Sequence, residues 1–207
     1  MNRRNYAREL EQIFEKQEGK PRLLLHACCG PCSSSVLEYL VPHFQVSIHW
    51  YNPNLYPEEE FFCRLDALKE LLVKMGLDQT VDIIETDWRA EEYERVVRGL
   101  EKEPEGGARC ARCFRLRLEE CAKTAKELGY DYFCTTLTVS RYKNAVLINS
   151  IGEEIAEKTG TVWLPSEFKK HNGEIRSAEL SEYYGIYRQV YCGCKYSLLR
   201  RYDNEST

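Results

Sequence analysis

The chain has 207 residues, a net charge of −4 and a hydrophobic fraction of 43%, which is enough for one well-packed domain. The charge excludes a broad basic surface for nucleic acid, although a local basic patch stays compatible with it. The first 17 residues are charged and lack an apolar core, and no apolar run approaches the roughly 18 residues of a membrane helix. We therefore expect a cytoplasmic protein with neither a signal peptide nor a membrane anchor.

The apolar pattern predicts strands that alternate with helices. Strands are expected at Leu23–Leu25, Val46–Tyr51, Val81–Glu85, Tyr132–Leu137 and Thr161–Leu164. Helices are expected at Asn5–Gln17, Ser35–Leu40, Pro57–Met75, Glu91–Leu100, from Cys110 to Leu128, and at Ala145–Lys158. This order predicts one α/β domain, residues 1–207, with a doubly wound, mostly parallel five-stranded sheet. The aromatic and basic residues 165–207 are expected to fold over the carboxyl edge of the sheet.

A cysteine-rich turn follows the first predicted strand. Cys28, Cys29 and Cys32 precede a helix that one of the serines at 33–35 is expected to cap. The positive end of a helix lowers thiol pKa values, and thiolates bind metals and attack disulfides. The Cys-Gly-Pro-Cys at residues 29–32 is typical of thioredoxin-like oxidoreductases. The third adjacent thiol, the chain length and the further cysteine pairs argue against that fold.

Ten cysteines in a chain with no export signal favour metal or redox chemistry over structural disulfides. Two further pairs have the spacing of metal ligands: Cys110 with Cys113, and Cys192 with Cys194. Three others fall within predicted helices or the fourth strand and are expected in the core: Cys63, Cys121 and Cys134. The seven clustered thiols exceed the four that a zinc site or a [4Fe–4S] cluster needs. The surplus indicates a second metal or a thiol that faces substrate.

Polar residues follow other predicted strands at the same sheet edge. Because the carboxyl ends of parallel strands meet there, Asn52, Asn54 and Asp87 are expected near the thiols. Asp87 is a candidate carboxylate ligand or the N-cap of the next helix. His26 is a candidate for supporting metal ligands through hydrogen bonds. No Gly-rich phosphate loop follows strand one, which argues against a role for ATP.

A set of short motifs occurs together in this chain. They are His26-Ala27-Cys28-Cys29-Gly30-Pro31-Cys32-Ser33, Tyr51-Asn52-Pro53-Asn54, Arg109-Cys110, Cys113-Phe114, Thr135-Thr136-Leu137, Tyr187-Arg188-Gln189 and Tyr191-Cys192-Gly193-Cys194. The combination runs from about Leu23 to Ser197 and resembles the cobalamin-independent epoxyqueuosine reductase family, QueH.

The resemblance implies reduction of epoxyqueuosine to queuosine at the wobble position of tRNA, the last step of queuosine biosynthesis. It also implies a Rossmann-like fold of the adenine-nucleotide-hydrolase type, a [4Fe–4S] cluster and an adjacent iron or other divalent metal. An electron-donor protein or reductant must supply electrons, and the chain is expected to be a monomer. We expect Cys110 and Cys113 to share the cluster with part of the first turn. Cys192 or Cys194 would then hold the second metal, with Asp87.

An acidic chain must hold tRNA locally, through basic side chains around the metal edge. These are Arg109, Arg112, Arg141, Lys143, Lys169, Lys170, Arg188 and Lys195. The residues expected to bind substrate are Asn52, Asn54, Arg109, Arg141, Lys143 and Arg188. Tyrosines of residues 165–207 would stack the unpaired anticodon bases. Two alternatives remain open: a thioredoxin-like dithiol oxidoreductase without metal, and a structural zinc protein that binds RNA.

Overall fold

The computed structural model describes residues 4–205, apart from the side chains of residues 171 and 201–205. Within these residues the sheet has four parallel strands in the order β3-β2-β1-β4. The strands are β1 (Arg22–His26), β2 (Gln45–Trp50), β3 (Ile83–Glu85) and β4 (Tyr132–Thr135). The α-helices are α1 (Tyr6–Lys16), α2 (Gly30–Leu40), α3 (Glu58–Lys74), α4 (Ala90–Val97), α5 (Ala108–Glu127), α6 (Ala145–Thr159), α7 (Gly173–Tyr183) and α8 (Lys195–Glu205). Short 3-10 helices lie at Thr136–Val139 and Lys170–Asn172.

The topology confirms the predicted parallel α/β fold of the Rossmann-like type. β1 is central, because Leu24 lies opposite Ser47 of β2 on one side and Phe133 of β4 on the other. The prediction of a fifth strand is wrong, because Thr161–Leu164 contributes only one bridge, between Trp163 and Phe133. Pro165 follows at once, and its missing N–H cannot continue a ladder.

Helix α2 begins directly after the second cysteine of the turn. Cys29 is its N-cap, and the Cys29 Sγ accepts a hydrogen bond from the Cys32 N–H at 3.4 Å. Pro31 lies in the first turn, where a backbone N–H has no intrahelical partner. The predicted serine cap is wrong, because the hydroxyls of Ser33 and Ser34 lie inside the helix and donate to the carbonyls of Cys29 and Pro31.

The hydrophobic core includes two of the three cysteines predicted to lie there. Leu23–Leu25 of β1 are fully buried, and Cys121 and Cys134 pack in the same core. Cys63 is exposed, contrary to the prediction. It follows the buried Phe61 by two residues, or about 200° of helix rotation, and so lies on the outer face of α3.

The C-terminal part of the chain returns to the cysteine-rich turn. Helix α7 packs against α2, where Ser177 and Ser35 share a hydroxyl hydrogen bond of 2.7 Å. Residues 186–194, which we call the strap, have no regular structure and connect α7 to α8. Among the helices between residues 4 and 205, none combines the length and the hydropathy that crossing a membrane requires.

Candidate metal centre

Cys28, Cys29 and Cys32, the first thiol group, lie just after the carboxyl end of β1. Their three Sγ atoms are all within 4.8 Å of one another, and those of Cys28 and Cys29 are 3.7 Å apart. Four sulfur atoms bound tetrahedrally to one ion at about 2.3 Å are about 3.8 Å from each other. The first thiol group therefore has the spacing of ligands to a single ion.

Hydrogen bonds within the first thiol group decide which sulfur ionises. Those from the thiols of Cys29 and Cys32 hold the pKa of Cys28 well below its usual range. Burial raises the pKa of Cys29 to about 12. Hydrogen bonds to Cys28 and Cys29 raise the pKa of Cys32. The lowered pKa expected for the thiols of this turn therefore holds for Cys28 alone.

Two side chains from other elements contact these sulfur atoms. The Gln189 Nε2 of the strap donates to the Cys29 Sγ at 2.9 Å. The Thr136 Oγ1, which follows β4, donates to the Cys28 Sγ at 3.5 Å. Donors directed at sulfur stabilise negative charge there, whether on a free thiolate or on a metal-bound one.

The second thiol group consists of Cys110, Cys113, Cys192 and Cys194, which together line a small cavity of about 30 Å³. Cys110 and Cys113 are one helical turn apart at the start of α5, and the N–H of Gly106 donates to the Cys110 Sγ at 3.2 Å. Burial raises the pKa values of Cys110 and Cys194, and that of Cys113 to about 12. These three thiols are protonated at neutral pH, so a metal bound there would displace protons.

The two thiol groups open onto one larger cavity of about 620 Å³, whose wall includes Cys28, Cys32 and Cys192. Lys143 lines both cavities. Burial alone would lower the pKa of Lys143, but its electrostatic interaction with the nearby Cys192 and Cys28 sulfur atoms outweighs burial, and the net pKa is raised. Lys143 therefore keeps its positive charge between the two groups.

Arg117 of α5 joins the strand ends to the second thiol group. Its Nε donates to the His26 Nε2 at 3.1 Å, and its Nη2 donates to the Asn52 Oδ1 at 2.7 Å. Its Nη1 lies 4.0 Å from the Cys113 Sγ. Because arginine only donates, the shorter Arg117 contact favours a His26 proton on Nδ1, which then donates to the Thr135 Oγ1 at 2.8 Å, over one on Nε2 directed at the Tyr51 carbonyl at 3.3 Å. Burial lowers the pKa of His26 well below its usual value, so the ring is neutral.

The polar residues predicted beside the thiols differ in position. Asn52 is fully buried, and its Nδ2 donates to the Ala27 carbonyl at 2.8 Å, so both ends of its amide are bonded within the protein. Asn54 is 3% exposed and lines the small cavity, and its Oδ1 has no hydrogen-bond partner among the described residues. Asp87 is exposed and lines neither cavity, and the N-cap of α4 is Arg89. The geometry offers no support for Asp87 as a ligand.

Several basic residues considered for RNA contacts are engaged within the protein. Arg109 is buried, and its Nη1 donates to the carbonyls at 100, 101 and 103. Lys169 donates to the Lys143 carbonyl at 3.1 Å. Lys170 donates to the Asn5 Oδ1 at 3.1 Å, beside α1. Lys195 is paired with a carboxylate of α4 at 2.7 Å. This arrangement favours structural roles for these four residues.

Other predicted basic residues are exposed, and two of them lie near the mouth of the large cavity. Arg188 lines that cavity. Arg141 lies 5.0 Å from the ring of Tyr142, which is 72% exposed and lines both cavities. Arg112 is also exposed, on α5, and lines neither cavity.

Sequence analysis missed Arg64, a 2%-exposed arginine of α3. Its Nη1 and Nη2 donate to the carbonyls of Cys192 and Tyr191, and its Nε pairs with Glu60 at 2.7 Å. A signal was present, because residue 64 falls on the apolar face of α3 and has a carboxylate four residues earlier. Gln189 also lies in a quoted motif, to which the sequence assigned no role.

Comparison with known proteins agrees with the motif-based resemblance. A family model described as epoxyqueuosine reductase QueH matches residues 23–200. An epoxyqueuosine reductase QueH of Streptococcus pyogenes serotype M1 is 43% identical over 198 residues, covering 93% of this chain and 78% of the relative. A relative of the same name from Staphylococcus epidermidis is 38% identical, covering 95% and 86%. Another from Thermotoga maritima is 32% identical, covering 89% and 94%. The chain therefore belongs to the epoxyqueuosine reductase QueH family.

Proposed function

We propose that this protein reduces epoxyqueuosine to queuosine in tRNA with the help of iron centres held by its clustered cysteines. The observation that carries the proposal is the first thiol group, whose sulfur atoms lie within 4.8 Å of one another beside a cavity of about 620 Å³. That volume falls in the range of about 300–1,000 Å³ typical of small-ligand sites. It suits a single nucleoside that has left its base stack.

The donor sets of the two thiol groups suit two different centres. The second thiol group has four cysteines, the number that a [4Fe–4S] cluster takes. Sulfur atoms bound to four different irons lie farther apart than those bound to one ion, which matches a group arranged around a cavity. The first thiol group has the spacing for one iron and leaves a fourth position open. This assignment replaces the expectation that Cys110 and Cys113 share the cluster with the first turn.

The reaction removes the epoxide oxygen, consumes two electrons and two protons, and yields an alkene and water. When bound, the metal centres supply the electrons and a Lewis acid, and a donor protein or reductant replenishes the electrons. Lys143 and Arg188 place positive charge at the cavity wall, where negative charge develops on oxygen. His26 and Arg117 hold the strand ends and α5 together, so that the two thiol groups keep their separation.

The cavity mouth offers a local contact surface for tRNA in the cytoplasm. Exposed Arg141 lies beside the Tyr142 ring, and exposed Arg188 and Arg200 line the same cavity as Tyr142. An exposed ring next to a cation suits stacking of an unpaired base. Loss of one stacked base costs about 1–3 kcal/mol. Tyr142→Ala should therefore weaken binding of an anticodon stem-loop by about 5- to 150-fold. Tyr183 belongs to the tyrosines of residues 165–207 that the sequence assigned to stacking, but it is 81% exposed on α7 and does not line the large cavity, so Tyr183→Ala is the matched control.

The activity is tested by incubating anaerobically purified, iron-loaded protein with epoxyqueuosine-containing tRNA and a reductant, then analysing the digested nucleosides. Queuosine should appear with the wild-type protein and with Cys63→Ser, whose thiol is exposed on α3. It should be absent with Cys32→Ser. Reduction of insulin disulfides by metal-free protein would favour the dithiol oxidoreductase. A colourless zinc protein that unfolds on chelation would favour the structural alternative.

A further inference from the structure

The strap is held down by one buried arginine. Arg64 donates to the carbonyls of Tyr191 at 3.3 Å and Cys192 at 3.2 Å, and its guanidinium lies 5.2 Å from the centre of the Tyr191 ring. Glu60, one turn earlier in α3, pairs with the Arg64 Nε at 2.7 Å and accepts a hydrogen bond from the Tyr187 hydroxyl at 3.0 Å. Four groups of the strap therefore converge on this ion pair of α3.

Gly193 lets the strap approach α3 this closely. Its φ of +116° is in the region that side chains disfavour, and a Cβ there would overlap Leu55 and the Arg64 guanidinium. The Gly193 carbonyl accepts a hydrogen bond from the Tyr56 N–H at 2.8 Å. The Tyr191 hydroxyl donates to the Tyr56 carbonyl. The strap is thus tied to the start of α3 on both sides of Cys192.

The strap carries groups to both sets of cysteines. Gln189 contacts the Cys29 Sγ of the first thiol group. Cys192 and Cys194 belong to the second thiol group and lie at the far end of the same segment. A shift of the strap would therefore move the Gln189 hydrogen bond and two thiols together.

We propose that Arg64 is a positioning residue, which acts through the strap to hold Gln189 against Cys29 and Cys192 within the second thiol group. The contacts of Arg64 with Glu60, Tyr191 and Cys192, which we call the clamp, all lie within the chain. Only the effect of the clamp on a bound metal rests on the proposed function. The guanidinium fork serves three acceptors at once, with Nε on a carboxylate and the two Nη atoms on separate carbonyls. A lysine has one nitrogen, so it can keep the pair with Glu60 but not both carbonyls.

The test compares Arg64→Met, Arg64→Lys and wild type as anaerobically purified full chains. Hydrogen exchange followed by mass spectrometry reports the strap through the Cys192 N–H, which donates to the Ser197 Oγ at 3.2 Å. We expect exchange there to be about tenfold faster or more in both variants, with the β1 and β4 amides unchanged. Arg64→Lys should nevertheless melt near the wild-type temperature. Arg176→Met, which removes an exposed arginine paired with Glu38, is the matched control and should leave the strap unaffected.

A purely structural role for Arg64 predicts a different pattern, in which strap exchange follows the melting temperature and lysine restores both. That pattern would overturn the proposal. If Arg64→Met does not fold, Gly193→Ala decides, because it opens the same clamp from the strap side. Strap exchange within about twofold of wild type in Gly193→Ala would contradict the proposal. In the iron-loaded proteins, the sulfur-to-iron absorbance per bound iron should fall in Arg64→Lys and stay unchanged in Arg176→Met.

Discussion

Asn52 was expected to bind substrate, but its contacts are those of a buried structural amide, and Asn52→Ala tests the structural role. The substitution removes a neutral hydrogen bond to the Ala27 carbonyl at 2.8 Å, worth about 1 kcal/mol. It also removes a hydrogen bond of 2.7 Å from the charged Arg117, worth about 1.5–3 kcal/mol. The free energy of unfolding should fall by about 3 kcal/mol. For a domain of this size, that lowers the melting temperature by about 6–12 °C.

The matched control is Asn54→Ala, from the same sequence motif. The Asn54 Oδ1 makes no hydrogen bond with the described residues, so its loss should change the melting temperature by less than about 3 °C. Differential scanning calorimetry of chelator-treated protein provides both values. Equal melting temperatures for Asn52→Ala and wild type would refute the assignment of Asn52 to the buried network.

Three further predictions follow from burial and spacing. Cys29→Ser should lose bound iron, whereas Cys121→Ser should retain it, as measured by iron analysis of anaerobic protein. Burial lowers the pKa of His49 to about 4, so the stability it contributes is complete above its unfolded pKa of 6.5 and is lost as pH falls toward 4. His49→Gln should weaken the pH dependence of the urea unfolding midpoint over that interval, where the wild-type histidine changes the free energy of unfolding by up to about 3 kcal/mol. An unchanged pH dependence would contradict this. Gly152→Ala places a Cβ against the Trp163 ring and should cost about 1–3 kcal/mol in urea unfolding, and a neutral result would show that the ring moves aside.

The sequence predicted features that depend on local pattern. The helix predicted from Asn5 and the parallel direction of the strands follow from helical spacing and the strand–helix alternation. The prediction of a fifth strand failed because Pro165 ends its pairing. The prediction that Cys63 is buried failed because a helix can be apolar on one face only, and Cys63 lies on the other. Both errors concern how a segment faces its neighbours: Thr161–Leu164 forms only one bridge to Phe133, and Cys63 lies on the outer face of α3.

The candidate site was predictable in residue type and less so in role. Clustering of the cysteines followed from their spacing, but their division into two groups depends on where the strap lies. The roles of Arg64 and Asn52 arise from contacts with residues 128 and 65 positions away, which no local pattern contains. Basic residues such as Arg109 were assigned to RNA by charge alone, whereas the Arg109 side chain is buried and donates to a backbone carbonyl, a contact that charge does not predict.

Iron content with electron paramagnetic resonance on anaerobically purified protein tests the central proposal most directly. Two thiol groups that hold a [4Fe–4S] cluster and a single iron predict about five irons per chain and a cluster signal on reduction. Cys113→Ser should abolish the cluster signal, and Cys32→Ser should lower the iron count by about one while that signal persists. A colourless protein that contains only zinc, or a cluster signal lost in Cys32→Ser and retained in Cys113→Ser, would contradict the account.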